Sequence, residues 1–380
     1  MLTKEQNDRL TLVGPGTPCG KLLRHYWQPL CAAGELEQGR KRVRIMGEDL
    51  IVFRAPSGKY GCLAEHCPHR GTSLFFGFIE EDGFRCCYHG WKFGFDGACI
   101  ERPFEKQPPD GHRTHAYPVE ELGGVLFVYM GPHPERPPLL PRWDVLVRND
   151  LPRRVRVLPI HHCNWLQIQE NTPDTVHTFY LHGHFSVVND LPTKHTAGFF
   201  CRPIVDYDWK VCDWGIDRTL TYGGDNPEIE VRPPMIFPNI LRTPEGSPEG
   251  LIESIHWRVP VDDTHTNVFW VGLMPAKTGK AGETTVERMP DTKKADGVFD
   301  MSDFYSQDRA VWETQGAISD RMREDLGASD RGIVMFRRML EEQIERVERG
   351  EEPTVARVID AQQNQIIAFD SHTRRPAKHL

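Results

Sequence analysis

The 380-residue chain reads as an α+β protein of two unlike blocks: an all-β block first, then an antiparallel sheet with helices. Three observations give that reading. Short strand-like runs broken by glycine turns fill residues 43–63. A proline-rich stretch at 131–138 interrupts the pattern, as a connection between domains does. Longer strand-like runs and one long amphipathic helix follow. The length suffices for two cores, and the boundary is placed between blocks 1–134 and 135–380.

Residues 1–30 open with a short helical stretch and a Gly14-Pro15-Gly16-Thr17-Pro18 turn. Leu22, Leu23, Tyr26 and Trp27 then have helical spacing. Val43–Met46, Leu50–Phe53 and Tyr60–Leu63 read as strands, joined by Gly47-Glu48-Asp49 and Pro56-Ser57-Gly58. This pattern suits a small antiparallel barrel or sandwich. Tyr117–Tyr129 closes the block, with Gly123-Gly124 as its turn. In the second block Val155–Ile160, Ile252–Val259 and Asn267–Leu273 are strand-like. A helix is predicted from about Asp330 to Arg349, because Ile333, Phe336, Leu340, Ile344 and Val347 form one apolar stripe.

Composition narrows the function classes. The net charge of −8 with mixed signs favours neither nucleic acid nor an anionic membrane as partner. No apolar run approaches the ~20 residues of a membrane span. The first eight residues are polar and hold no signal-peptide core, so a cytoplasmic location is expected. Ten cysteines occur; Cys19, Cys31, Cys62, Cys99, Cys163, Cys201 and Cys212 are scattered without framework spacing, as expected of reduced thiols.

Four residues carry metal chemistry. Cys67-Pro68-His69 is C-x-H, and Cys86-Cys87-Tyr88-His89 is C-x-x-H. Two thiolates on one iron and two imidazoles on the other define the Rieske form of a [2Fe–2S] cluster. A structural zinc site draws on the same residue types, but its paired ligands stand two to four residues apart, wider than Cys67 and His69. The spacing selects Cys86 over Cys87. A glycine follows each histidine closely, Gly71 and Gly90. The cluster implies one-electron chemistry.

A second constellation lies at Glu170-Asn171-x-x-Asp174-x-x-His177-x-x-x-x-His182. Two histidines and a distant carboxylate make the facial triad of non-haem Fe(II), which leaves positions open for O₂. Five residues on an α-helix turn through about 140°, so His177 and His182 do not share a face of an ideal helix. The helix must end or bulge between them, and Gly183 permits the chain to turn. Asp174, three residues before His177, can accept that ring's second N–H. Taken alone, the two histidines are more simply surface or core residues; the cluster motif in the same chain reverses that preference.

These motifs resemble the α subunits of Rieske non-haem iron aromatic-ring-hydroxylating oxygenases. The resemblance runs on through Ser306-Gln307-Asp308, Trp312–Gly316, Asp320-Arg321 and Ser329-Asp330. Together with Ile255–Pro260 it points to the branch of phthalate and phenoxybenzoate dioxygenases and some aryl O-demethylases. It implies a helix-grip-like second domain and places the third iron ligand at Asp308, with Asp303, Asp320 and Asp330 as rivals. It also implies that Asp174 bridges His177 to His89 of a neighbouring subunit in a head-to-tail trimer or stacked trimers. Asn171 is then close to the iron without ligating it. In respiratory Rieske proteins a disulfide flanks the cluster; its positions here are Thr72 and Tyr88, so none forms.

The implied activity is a dihydroxylation, a monohydroxylation or an O-dealkylation of an aryl carboxylate or aryl ether. No Gly-x-Gly-x-x-Gly follows a strand, so electrons come from elsewhere. The resemblance supplies an NADH-dependent flavin and iron–sulfur reductase, directly or through a ferredoxin. Two alternatives stay open: an electron carrier that is not an enzyme, and an oxygenase for a non-aromatic substrate. Arg202, Arg218, Arg232 and Arg242 are candidates to pair with a substrate carboxylate, although each is more simply structural. Phe200, Trp209, Trp214, Ile236 and Phe237 line an apolar slot or belong to the core.

Overall fold

The computed structural model describes residues 1–358, 360–369 and 373–377. Two helices open the chain, α1 (Lys4–Thr11) and α2 (Pro18–Arg24). Thr3 and Thr17 cap them, each accepting a backbone N–H three residues on, and Pro18 sits at the first helical position, where its missing N–H costs nothing. Tyr26 and Trp27 lie beyond α2, and the chain goes straight into strand β1 (Gln28–Ala32). Their helical spacing therefore carried over past the helix end.

Strands β2 (Arg40–Ile45), β3 (Glu48–Arg54) and β4 (Tyr60–Ala64) form one sheet. Met46 and Gly47, both at positive φ (46° and 79°), make the tight β2–β3 turn, one residue earlier than expected. β5 (Phe78–Glu80), β6 (Gly83–Arg85), β7 (Lys92–Gly94) and β8 (Cys99–Glu101) form a second sheet. β9 (Val119–Leu122) and β10 (Val125–Val128) hairpin through Gly123-Gly124 and pair with β1 in a third. β3 serves two cores by simple alternation: Leu50 and Val52 face one, Ile51 and Phe53 the other.

After the proline-rich stretch come α3 (Asp144–Val147), β11 (Arg153–Val157) and α4 (Trp165–Glu170). A π-helical segment, Thr178–His184, runs into α5 (Phe185–Val188), and α6 (Lys194–Ala197) follows. Six long strands come next: β12 (Ile204–Cys212), β13 (Gly215–Tyr222), β14 (Glu228–Ile236), β15 (Ile240–Ser247), β16 (Gly250–Asp262) and β17 (His265–Leu273). They pair in sequence order as an antiparallel meander. β11 adds to β17, and β18 (Thr284–Arg288) pairs with β11 in parallel at the edge. α7 (Phe304–Thr314), α8 (Arg331–Glu348) and β19 (Thr373–Pro376), which pairs with β14, complete the described elements. In α8, Phe336, Leu340 and Ile344 of the predicted stripe are fully buried.

The large sheet has two covered faces. Ile255, Trp257 and Val259 of β16, with Phe269, Val271 and Leu273 of β17, enter a core shared with α2, β10, α3 and α8. Ile252, Val268 and Trp270 enter a second core with Ile168 of α4 and Trp312 of α7. The β2–β3 turn is tied to the end of β16 by Met46 N–H and Gly47 N–H, which donate to the carbonyls of Pro260 and Val261 at 2.8 and 2.9 Å. The two blocks are thus joined through a continuous apolar core and main-chain bonds.

Candidate metal centres

The loops that precede β5 and join β6 to β7 have the same backbone design. In the first, Cys67 N–H donates to Thr72 O (2.9 Å) and Gly71 N–H to Cys67 O (2.8 Å). In the second, Cys86 N–H donates to Trp91 O (2.8 Å) and Gly90 N–H to Cys86 O (3.1 Å). Gly71 and Gly90, each four residues after its cysteine, have φ of 73° and 72°. Only glycine adopts that conformation without strain. The repeat is therefore set by the cysteines rather than by the histidines.

This geometry sorts the donors. Cys67 and Cys86 are both 2 % exposed, while the His69 and His89 rings are half-buried with centroids 4.6 Å apart. Cys87 and Tyr88 point to solvent. Burial, with Cys86 beside it, pushes the Cys67 thiol up to about 11. Partial burial, and then the neighbouring His69, lower the His89 imidazole and favour its neutral form. The indole of Trp91 stacks flat on His69 (4.5 Å, 1°), and the Arg102 guanidinium lies 5.3 Å from the centroid of the Trp91 ring. Two thiols from within and two imidazoles from the rim are the donor set a Rieske [2Fe–2S] centre takes, so the residues fit the group.

The second constellation is assembled from distant segments. Glu170, at the end of α4, is buried and held by Arg321 (2.7 Å) and Arg337 (2.5 Å). Burial alone would raise its carboxyl; the two guanidinium groups outweigh that and hold it low. The turn that follows is fixed by its carbonyls: Arg218 donates to Thr172 O (2.6 Å) and the Trp209 indole to Pro173 O (2.8 Å). The chain is helical again only from His177. Asp174 lies before that helix, not on it. Its Oδ1 accepts from the N–H groups of Val176 and His177 at 3.2 and 3.3 Å.

His177 and His182 are then brought to one side by the π-helical segment, whose wider turn suits a spacing of five. His177 Nδ1 is engaged by the carbonyl of Asp174 at 2.6 Å; the Asp174 carboxylate stands off at 3.7 Å. The expected carboxylate–imidazole bond is thus a carbonyl–imidazole bond. His182 Nδ1 is engaged by Gln307 Oε1 at 2.9 Å, and Gln307 is oriented by donating to Ser186 Oγ and Met301 O. Both Nε2 atoms face Asp308 Oδ1, His182 at 3.2 Å and His177 at 3.8 Å. The three donor atoms lie within 4.8 Å of one another. Asn171 Nδ2 is 3.5 Å from the same oxygen.

Burial raises the Asp308 carboxyl, but His182 and His177 outweigh burial and keep it ionised. Burial lowers His177, and Asp174 and Asp308 outweigh that. Two imidazoles with Nδ1 occupied and Nε2 turned to one carboxylate fit a facial 2-His-1-carboxylate metal site. The rival acids do other work. Asp303 caps α7 through Ser306 N–H (2.9 Å), Asp320 is exposed beside Arg323, and Asp330 accepts from Gly327 N–H. Gly183 does not turn the chain. It lies inside the helix, where a Cβ would meet the backbone of Phe200 and Cys201 at 3.0–3.1 Å.

Of the expected slot residues, only Phe200 stands at the site, 5.8 Å from the His182 ring; Trp209, Ile236 and Phe237 are core, and Trp214 packs on it. Phe304, 5.0 Å from His182, and Gln307 escaped the sequence reading, although α7 spacing from Asp308 points at Phe304. The four candidate arginines have structural partners: Arg202 with Glu228, Arg232 with Glu230, Arg242 with Asp144 and Glu253, Arg218 with two carbonyls.

Fold and donor sets together define a cluster-bearing all-β domain fused to a sheet-and-helix domain with a second metal site. The Rieske [2Fe-2S] domain family matches residues 26–121, and the family described as LigXa C-terminal domain like matches 288–376. The chain is 38% identical to the 5,5'-dehydrodivanillate O-demethylase oxygenase subunit of Sphingobium sp. (strain NBRC 103272 / SYK-6), over 93% of this chain and 83% of that one. It is 35% identical to the phenoxybenzoate dioxygenase α subunit of Ectopseudomonas oleovorans, over 91% and 86%. It is also 35% identical to the tert-butanol monooxygenase / tert-amyl alcohol desaturase oxygenase subunit of Aquincola tertiaricarbonis, over 89% and 76%. The solved structure of Pseudomonas putida CBB5 NdmA shares the fold, with a TM-score of 0.66 at 18% identity over 90% of this chain and 98% of that one.

The chain belongs to the Rieske non-haem iron oxygenases, as an oxygenase subunit. It carries a Rieske [2Fe–2S] domain, and oxygenase subunits of this kind use mononuclear iron and take electrons from reductase or ferredoxin partners. Among the described residues no helix is long and apolar enough to cross a membrane.

Proposed function

We propose that this chain is the terminal oxygenase of a system that oxygenates or O-demethylates an aromatic carboxylate. Its electrons come from an NADH-dependent flavin and iron–sulfur reductase, directly or through a ferredoxin. The observation that carries this reading is the convergence of His177, His182 and Asp308 within 4.8 Å. An electron carrier needs the loops at 67 and 86 but not this constellation. In this reading Cys67, His69, Cys86 and His89 hold the cluster, and His177, His182 and Asp308 hold iron. When bound, the cluster supplies single electrons and the iron supplies a site for dioxygen.

The residues around these donors position and exclude. The Asp174 carbonyl and Gln307 fix the tautomers of the two imidazoles, so that Nε2 is the free nitrogen on each. Asn171 steadies the Asp308 carboxylate. Phe200 and Phe304 shield the His182 side from water. The Asp174 Oδ2 atom, 3.7 Å from His177 Nδ1, is left for a further donor. A second copy's His89 fills that role in a head-to-tail trimer. Apart from Cys67 and Cys86, which this reading gives to the cluster, eight unpaired thiols accord with a reducing cytoplasm.

The substrate class follows the relatives named for dehydrodivanillate and phenoxybenzoate. The relative named for tert-butanol favours a second reading, a small tertiary alcohol. Turnover with purified reductase under ¹⁸O₂ separates the two: label or formaldehyde from methoxybenzoates supports the first, and oxidation of tert-butanol alone supports the second. Three irons per chain are expected, and two would return the chain to the electron carriers. Asp174→Asn should keep all three irons and the trimer, yet slow cluster oxidation in stopped-flow with substrate and O₂ by about 100-fold or more. Oxidation at the unaltered rate would remove the bridge.

A further inference from the structure

Strand β16 sends alternate side chains to opposite faces of the sheet. Ile255, Trp257 and Val259 enter the core shared with the first block, which leaves Ser254, His256 and Arg258 on the face covered by α4 and α7. Arg258 is 2 % exposed. Its Nη1 donates to the carbonyl of His256, on its own strand, at 3.3 Å, and its Nε has no partner among the described residues. Among the described residues the one acid whose charge reaches it is Asp308, which does not come within ion-pair distance and already faces two histidines.

The other buried arginines are better served. Arg242, Arg309, Arg321 and Arg337 each hold a carboxylate at 3.0 Å or less. Arg218, without an acid, donates to two carbonyls at 2.6 and 2.9 Å. An unpaired guanidinium is costly to bury, and burial pulls Arg258 down to about 9. A divalent cation on the neighbouring donors would make the surroundings still more positive. The missing partner is therefore an anion brought from outside, and a planar fork with unused N–H groups matches a carboxylate.

We infer that Arg258 is the anchor for the carboxylate of the aromatic substrate, which places the ring beside His177, His182 and Asp308. The inference rests on the reading of those three residues as the iron site and deepens it by assigning the specificity residue. The four arginines singled out in the sequence are not free to do this work, and Arg258 is.

The test is anaerobic titration calorimetry on iron-loaded protein with two near-isosteric probes, 3-methoxybenzoate and 3-methoxybenzamide. The wild type should bind the carboxylate about 30-fold more tightly than the amide, as expected of a charge-assisted pair. Arg258→Met should bring the two affinities within about threefold by weakening the carboxylate alone, with the cluster spectrum and iron content kept. In turnover the loss should fall on KM rather than kcat. A carboxylate preference that survives in Arg258→Met, or no preference in the wild type, overturns the anchor and leaves the proposed function standing. If the wild type binds neither probe, the aromatic-carboxylate reading fails, and the anchor with it. Should Arg258→Met not fold, the wild-type preference and Arg258→Lys decide: the lysine keeps the charge without the fork and should retain a smaller preference.

Discussion

The cluster loops hold their donors by bonds that never leave each loop, Cys67 to Thr72 and Cys86 to Trp91. The second site does the reverse. Its donors come from residues 177, 182 and 308, and their surroundings are fixed from afar: Gln307 for His182, Arg218 and Trp209 for the turn before His177, Glu170 with two arginines for the end of α4. The first is a local design that can be copied from loop to loop. The second is a product of the whole second block, and it is only as stable as the packing that brings α4, the π-helical segment and α7 together.

The largest effect that sharpens this contrast is loss of a donor at the assembled site. Asp308→Ala or His182→Ala should remove the mononuclear iron and lower turnover by about 10³-fold or more, with the Rieske electron paramagnetic resonance signal unchanged. A cluster signal that changes with them would show that the two regions are not independently built. Next comes Glu170→Gln, which strands the buried Arg321 guanidinium, leaves Arg337 with Glu324 alone, and should cost about 3–5 kcal/mol in thermal or denaturant unfolding.

That loss should depend on pH with a definite sign. The Glu170 carboxyl is held below its ordinary value of 4.5 in the folded chain, so its contribution is complete above that value. It declines as the pH falls through 4.5 toward the folded value, and the gap between wild type and variant should close on that side. A gap that widens in acid would contradict the ion-pair account.

A smaller effect is expected at Gln307. Gln307→Leu keeps the volume but leaves His182 Nδ1 without its partner, and iron affinity should fall about 10- to 100-fold by competition with a chelator. The smallest effects test the loops. Gly71→Ala meets no atom within 4 Å and should cost only the backbone strain, about 1 kcal/mol. Gly90→Ala adds a contact of 3.1 Å with Pro103 and should cost more. Equal costs would mean that the shared backbone, and not the surroundings, sets both.

What the sequence showed follows the same division. Cys67, His69, Cys86 and His89 were legible because their spacing alone encodes two adjacent loops. The i, i+5 histidine pair was legible as a bulged helix, and α8 as a stripe of one period. Gln307 and Arg258 were not, because a glutamine or an arginine says nothing until its partners, or their absence, are in place. Strands β12 to β15 were not singled out either. They carry Asp206, Asp208, Arg218, Glu230, Arg232 and Pro233-Pro234, which mask a strand pattern; pairing overrides that composition, with neighbours on both sides for β13 to β15 and with β13 alone for the edge strand β12.

The shared core has a consequence for how the chain is made. α1 and α2 pack against α8, which is synthesised more than 300 residues later. At ordinary rates of translation that is a delay of roughly 15–60 s. Throughout it Leu10, Leu22 and Leu23 lack their final cover, while the loops that take the cluster can already close within the first block. Cluster insertion is thus free to precede completion of the fold, while the apolar faces of α1 and α2 stay exposed to misassociation until α8 emerges.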